Sequence, residues 1–329
     1  MCFRALSAAV AGLLMLASFG SLSSSSAAPE NGCKLANPPA GAANTTIKSW
    51  VDPRPCDWAQ KFPLFAPPAP GDGSLQRVQT SGNLSICAET DQPPGVYSDP
   101  STGKIIGYEP DILQNLVERL GIKKYSYVEV QFPSYIPAIQ AKKCDAVLGV
   151  IGATSQRAQA PGMRYTWPYL VQGDRVIVLK DSSYQHISDL KGQKIAVVPG
   201  SVEDLEAKQI VADLGGGTAV AEFQSDAIAY TAVFNRQAAA VIDVTLALIQ
   251  RPDADKLRQL PDPPPVPVDS TCPYARLSVA AITTSTDNDL NLAISVALEE
   301  MKEDGTLEKI FTSHKSYLPG VLDYVRPNP

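Results

Sequence analysis

The stretch CDAVLGVIGATSQRAQAPGMRYTWPY, Cys144 to Tyr169, decides how the chain is read. Ala146-Val147-Leu148 is a short apolar run of the kind that forms a buried strand. Gly149 to Thr154 is a bend of small residues, and glycine lets a backbone come close to a ligand. Arg157 stands at the start of an expected helix, and its planar guanidinium matches a carboxylate. Tyr165 to Tyr169 reads as an aromatic, turn-rich exit. A strand that ends in glycines ahead of an arginine suits capture of a small anion. It equally suits an ordinary strand-loop-helix joint with a surface arginine, so the rest of the chain must choose.

Upstream, Leu84–Ala88 reads as a strand, followed by a turn-rich loop from Glu89 to Gly95. A helix begins near Pro110, which suits a first turn, with Asp111 placing negative charge at its positive end. Tyr127–Phe132 reads as a strand and Tyr135–Ala141 as a helix. Strands alternating with helices predict a parallel sheet with covering helices. Downstream the layout repeats. Strands are expected at Arg175–Leu179, Lys194–Val198, Ala219–Phe223 and Ala239–Ile242. Pro199-Gly200-Ser201 makes a bend before the helix Val202–Leu214, and Asp243 ends the last of these strands. After a proline-rich crossing, Asp262–Pro267, come a strand, Leu277–Ile282, and an amphipathic helix, Asp287–Met301.

The composition fits a globular chain: 44% hydrophobic residues, 19% charged and a net charge of −6 over 329 residues. That balance argues against nucleic acid, which needs a basic stripe. Residues 1–27 carry Arg4, a short apolar run and small polar residues. This is the pattern of a cleaved secretory signal peptide, and no cysteine follows where a lipoprotein would need one. Residues 28–79 are irregular and read as an extension that packs on the main body, with Pro67–Gly73 as a linker. Cys33 and Cys56 lie in this arm and are the first disulfide candidates, since exported proteins meet an oxidising compartment. Cys87 reads as a buried small hydrophobe, and a Cys144–Cys272 pair stays open. His186 and His314 are far apart in sequence, so no metal site is expected.

Taken together, SICAETDQPPGVY with GKIIGYEPDIL, then YIPAIQAKKCDAVLGVIGATSQR, ISDLKGQKIAVVPGS and DLNLAISVALEEMKEDGTLEKIF resemble the family 3 extracellular solute-binding proteins. These serve polar amino-acid ABC transporters. The resemblance covers about residues 84–316. It implies a type 2 periplasmic binding fold: two α/β lobes of mixed or parallel sheet with flanking helices, joined by a two-strand hinge. The expected boundaries are 80–168 for the first part of lobe one, 174–274 for lobe two, and 280–329 for the return to lobe one and the tail. It further implies a monomer in the periplasm, without a cofactor, partnered by a membrane permease and a small zwitterion.

By the same resemblance Arg157 holds an α-carboxylate, and Gly149, Val150 and Gly152 line the pocket at the strand end. The family often has a hydroxyl at the Gly152 position, and here it is missing. Ser201 and Val202, with Gly200, match a turn at a helix N-terminus. Asp243 matches the acid for the α-ammonium. Glu89 and Gln92 match loop positions that touch the ligand, although an aromatic is frequent where Gln92 stands. Asp243 could instead cap the helix starting at Thr245, and Ser201 could be a simple N-cap. The alternative function is an exported enzyme on the same fold, like the cyclohexadienyl dehydratases. That reading would need a positioned general acid, for which Glu89 is the candidate.

Overall fold

The computed structural model describes residues 32–34, 38–47, 50–55, 63–65, 68–262, 264, 276–318 and 321–322. The segment read as a signal peptide, the arm's Cys56 and the crossing's Cys272 lie outside the described residues.

Two small strands come first, β1 (Gly32–Lys34) and β2 (Val51–Pro55), and pair with each other. Helix α1 (Ser74–Ser81) leads into β3 (Asn83–Ala88). A three-stranded ribbon follows: β4 (Asp91–Gln92), β5 (Val96–Ser98) and β6 (Ile105–Ile106). Then come α2 (Tyr108–Arg119), β7 (Lys124–Glu129), α3 (Tyr135–Gln140), β8 (Ala146–Val147) and α4 (Ser155–Ala158). Strand β9 runs from Met163 to Leu179. Beyond it lie β10 (Lys194–Val197), α5 (Val202–Leu214), β11 (Ala219–Glu222), α6 (Asp226–Phe234), β12 (Ala240–Val244) and α7 (Thr245–Gln250). The chain ends with β13 (Leu257–Gln259), β14 (Arg276–Thr284), α8 (Asn288–Glu303) and α9 (Thr306–Ser313).

The main sheet has the order β11-β10-β12-β9-β14-β8-β3-β7, with β13 also on β9. It is mixed. Parallel pairs lie at each end, and the antiparallel pairs all involve β9 or β14. Strand β9 differs from the sequence reading, which put a turn-rich exit at Tyr165–Tyr169 and a fresh strand at Arg175. The structure makes them one 17-residue strand. Tyr165, Trp167 and Tyr169 are fully buried, so aromatic packing overrides the turn propensity of Pro168. Pro168 has no N–H for a ladder bond, and the β9–β14 register shifts at its partner, Ala280.

In β9 the partner changes between Gly173, opposite Arg276 of β14, and Asp174, opposite Val244 of β12. On the far side both sheet faces are covered. Val176, Val178, Ile195, Val197, Ala240 and Ile242 face α5, in one core with its Ala207 and Ile210. Their alternates Ile177, Ala196 and Val241 share another core with Ala229 and Val233 of α6. A strand turns successive side chains to opposite faces, so burial of both faces explains the unbroken apolar runs. The near side has a single larger core that includes Leu84, Ile86, Ile112, Leu116, Val147, Leu290, Ile294 and Phe311.

Cys87 corrects an expectation. It is buried, but it is bonded to Cys144 across 57 residues, with Cα atoms 5.7 Å apart. Parallel pairing of Ile86 with Ala146 and Cys87 with Val147 brings the two cysteines together. No local pattern signals such a contact between distant strands. The arm is also more ordered than its composition suggests. Helix α1 occupies residues read as irregular, and the linker is pinned to α8. Buried Asp289 accepts from the amides of Gly71 and Gly73, both at 2.6 Å, while Asp72 accepts from the amides of Asn288 and Asp289.

Replacing both Cys87 and Cys144 by serine is expected to lower unfolding free energy by about 2–4 kcal/mol. Calorimetric unfolding of the variant, or of the wild-type chain under reductant, checks it. An unchanged midpoint in both would show that the bond contributes nothing.

Candidate functional site

The bend after β8 is held in an unusual backbone shape. Val150 has φ of 53°, in the left-handed region that a β-branched residue avoids at a cost of about 1–2 kcal/mol. Its amide donates to Glu109 Oε1 at 2.9 Å, and the Tyr169 hydroxyl donates to the same oxygen. Glu109 is fully buried, and burial pushes its carboxyl up to about 7 against those two hydrogen bonds. Before the bend, a Cβ at Gly149 would come within 2.2 Å of the Tyr135 hydroxyl, so only glycine fits. Gly149 thus shapes the bend from behind, and Val150 presents the cleft wall.

Arg157, on the short helix α4, crosses the cleft. Its Nη1 donates to the Gly152 carbonyl at 2.8 Å, and its Nη2 donates to the Gly200 carbonyl at 2.6 Å. Its guanidinium lies 5.5 Å from the centre of the Phe132 ring. The Gly152 carbonyl also accepts from the Tyr165 hydroxyl at 3.1 Å. The hydroxyl missing at Gly152 is thus replaced, as an orienting group, by a backbone oxygen. Among the described residues no ion pair claims Arg157, so its full charge remains for a ligand.

On the opposite wall Ser201 caps α5. Its Oγ accepts from the Asp204 amide at 3.0 Å, and Asp204 in return accepts from the Gly200 amide at 3.0 Å. This reciprocal arrangement fixes the helix start. Asp243 is the last residue but one of β12 and is 7% exposed. It accepts from the Tyr230 hydroxyl at 2.9 Å and from the Val244 amide at 2.7 Å. Helix α7 starts at Thr245 without any side-chain cap, so capping is not what Asp243 does. Burial, followed by the nearby Glu203 charge, pushes its carboxyl up to about 7, while its hydrogen bonds and Arg251 pull the other way.

A cavity of about 280 Å³ lies between these walls, at the small end of ligand pockets. Arg157, Asp243, Val150, Gly152, Ser201, Val202 and Gln92 line it. Gly149 and Glu89 do not. Glu89 is 1% exposed and faces inward, its Oε2 accepting from the Phe132 amide at 3.0 Å. Burial, then Asp91, pushes its carboxyl up to about 7. The lining also holds Phe132, Asp91, Glu203, Asp226 and Arg251, none of which the sequence reading picked out. Glu203 had a signal, since it directly follows the matched Gly200–Val202 turn. Asp226 reads as an ordinary first-turn acid, and Arg251 as a loop cation.

Arg251 is already engaged. It stacks on Tyr230 with its guanidinium 3.7 Å from the ring centre, and it pairs with Asp253 at 2.9 Å. Among the described residues no group of three or more His, Cys, Asp or Glu is arranged to hold a metal. Nor is any helix among them long and apolar enough to cross a membrane.

A mixed sheet that changes partners along one strand, with a charged cleft at the change, defines a two-sided small-molecule binding protein. The chain belongs to the bacterial extracellular solute-binding proteins, family 3, whose pattern matches residues 84–316. A glutamine-binding protein of Geobacillus stearothermophilus is 25% identical over 166 residues, covering 50% of this chain and 61% of its own. A probable histidine-binding protein of Campylobacter jejuni is 29% identical over 146 residues, covering 42% and 56%. The chain thus spans less than two thirds of the length of either. Among solved structures, an ancestral arginine-binding protein bound to arginine superposes with a TM-score of 0.61 at 26% identity, over 70% of this chain and 97% of that one. The type 2 periplasmic binding fold is common to these neighbours and this chain.

The raised carboxyls set a pH dependence. A carboxyl lifted to about 7 keeps its proton in the folded protein while the unfolded chain, titrating near 4, has lost it. The folded state then binds more protons at these groups, so their contribution to stability is fully present below about pH 4 and is lost as pH rises through about 7. The thermal midpoint of the ligand-free protein is expected to drop between pH 5 and pH 8. Glu109→Gln, which keeps an acceptor for Val150, should flatten part of that drop. A midpoint rising over this range would contradict the burial of these groups.

Proposed function

We propose that the chain captures an amino acid, or a related small zwitterion, between the two halves of its sheet and delivers it to the membrane permease of an ABC transporter. The observation that carries this is an unpaired cation, Arg157, and a buried acid, Asp243, on one cavity. Arg157 receives the α-carboxylate and Asp243 the α-ammonium. Val150, Gly152, Ser201, Val202 and Gln92 shape the rest of the cavity. The two charges come from opposite sides of the Gly173–Asp174 partner change, so a zwitterion draws the lobes together through contacts it makes fully only in the closed form. Relatives named for binding glutamine and histidine, and a neighbour holding arginine, support an amino acid as ligand. The signal-peptide pattern of residues 1–27 supports a place in the periplasm.

The competing reading, an exported dehydratase-like enzyme, needs a proton donor facing its substrate. Glu89, the candidate, turns its carboxylate toward the Phe132 amide and does not line the cavity, which favours binding over turnover.

Arg157→Ala should weaken amino-acid binding by about 2–5 kcal/mol, because it leaves the ligand's carboxylate without its charged partner. Titration calorimetry with an amino-acid panel measures it, with circular dichroism as the check on folding. Equal affinity in a folded variant would remove Arg157 from the site.

A further inference from the structure

The cavity gathers more carboxyl groups than a neutral zwitterion needs. Four carboxylates line it: Asp91 from the first-lobe ribbon, Glu203 from α5, Asp226 from α6 and Asp243 from β12. Against them stand two guanidinium groups. Arg157 faces the cavity unpaired, whereas Arg251 is taken up by Asp253 and Tyr230. A ligand carboxylate on Arg157 and its ammonium on Asp243 would leave the remaining acids uncompensated. Among the described residues neither Glu203 nor Asp226 has a hydrogen-bond or ion-pair partner, although both are half-buried. They do not avoid one another either, since the charges of Glu203 and Asp243 both bear on Asp226. A half-buried, unpartnered acid beside other acids is costly unless something cationic arrives.

Glu89 does not play this part from the first lobe. Its Oε2 accepts from the Phe132 amide and, at 3.5 Å, from the Gln92 side chain, and it does not line the cavity. The surplus acids therefore sit mainly on the second lobe, beside Asp243.

Resting on the reading of this cleft as an amino-acid site, we propose that its ligand is a basic amino acid, with a second cationic group beyond the α-ammonium, and that Glu203 and Asp226 receive that group. These two residues then set specificity, while Arg157 and Asp243 hold what all α-amino acids share. Burial with the charges of Asp243 and Glu203 holds the Asp226 carboxyl well above its usual range. A bound cation would relieve this, and binding would be accompanied by proton release.

The experiment is titration calorimetry of the full mature chain at pH 7.5 with L-arginine, L-lysine, L-citrulline and L-glutamine. Citrulline keeps nearly the shape of arginine but carries a neutral ureido group. Arginine or lysine should bind about 100-fold more tightly than citrulline and glutamine, the scale of one or two charge-assisted hydrogen bonds in a dry site. In the double variant Glu203→Gln with Asp226→Asn, the arginine-to-citrulline ratio should fall to about 10-fold or less. Its thermal midpoint should not fall, because the changes remove repulsion and not contacts. A purely structural role would shift both ligands together and leave the ratio alone. Citrulline or glutamine binding as tightly as arginine would overturn this inference while leaving the amino-acid reading intact. A basic preference that survives the double variant would overturn the assignment to Glu203 and Asp226. No binding of any of the four would overturn the amino-acid reading, and this inference with it.

Discussion

Strand β9 imposes the constraint on which the rest of the structure depends. It pairs with β14 up to Gly173 and with β12 from Asp174 onward, so one backbone serves two sets of neighbours. The two halves of the sheet are therefore continuous through one backbone yet packed on separate cores. Arg157 and Asp243 are far apart in the chain, and they share a cavity because each lies just off an element paired to this crossing. A large core on one side and covered sheet faces on the other keep each half rigid. Strand β9 runs through both halves with β14 paired to it as far as the partner change, the arrangement that the proposed hinge would use.

How much of this the sequence carries depends on the range of the interaction involved. Patterns set by local physics are legible. The Ala146-Val147 strand, the glycine bend, the helix at Thr245–Gln250 and the start of α2 before Pro110 follow from periodicity and terminus chemistry. So does the order of Arg157, the Gly200–Val202 turn and Asp243, through resemblance to a family. What depends on a distant partner is not legible. Cys87 looks like a core residue until β3 and β8 are seen to run side by side. Tyr165–Tyr169 looks like a turn until α8 and β14 are there to bury it; the Trp167 amide, for instance, donates to Ser295. The Asp72–Asp289 exchange spans 217 residues, so a run of prolines and glycines hides an anchored segment.

The site itself shows the same division, with one difference. Residues that shape the walls are readable because their geometry is demanding. Gly149 must be glycine for want of space beside Tyr135, and Ser201 must be a cap because a helix starts there. Residues that set charge are not readable, because an acid in the first turn of a helix has an ordinary explanation. Glu203 and Asp226 both satisfy the helix dipole and would pass for stabilising surface acids. Only their convergence with Asp243 on one cavity changes that view.

The two walls of the cleft treat charge in opposite ways, and the contrast bears on how the protein releases what it takes up. Arg157 is held by two carbonyl oxygens, neutral acceptors that orient the guanidinium without cancelling it. One of them, on Gly200, belongs to the far wall, so the arginine links the halves even without a ligand. The acids opposite are held by hydroxyl and amide donors or by nothing at all, and burial makes their charge expensive. In the proposed function, entry of a ligand carboxylate would compete for Arg157 with the Gly200 carbonyl. Closure by ligand would then replace one cross-cleft tie with another and would not build the first from nothing. The difference in free energy between the empty and filled forms is then smaller than the sum of the ligand's contacts. In the proposed function that economy would serve release, because loss of the ligand from the closed cleft lets Arg157 return to the Gly200 carbonyl.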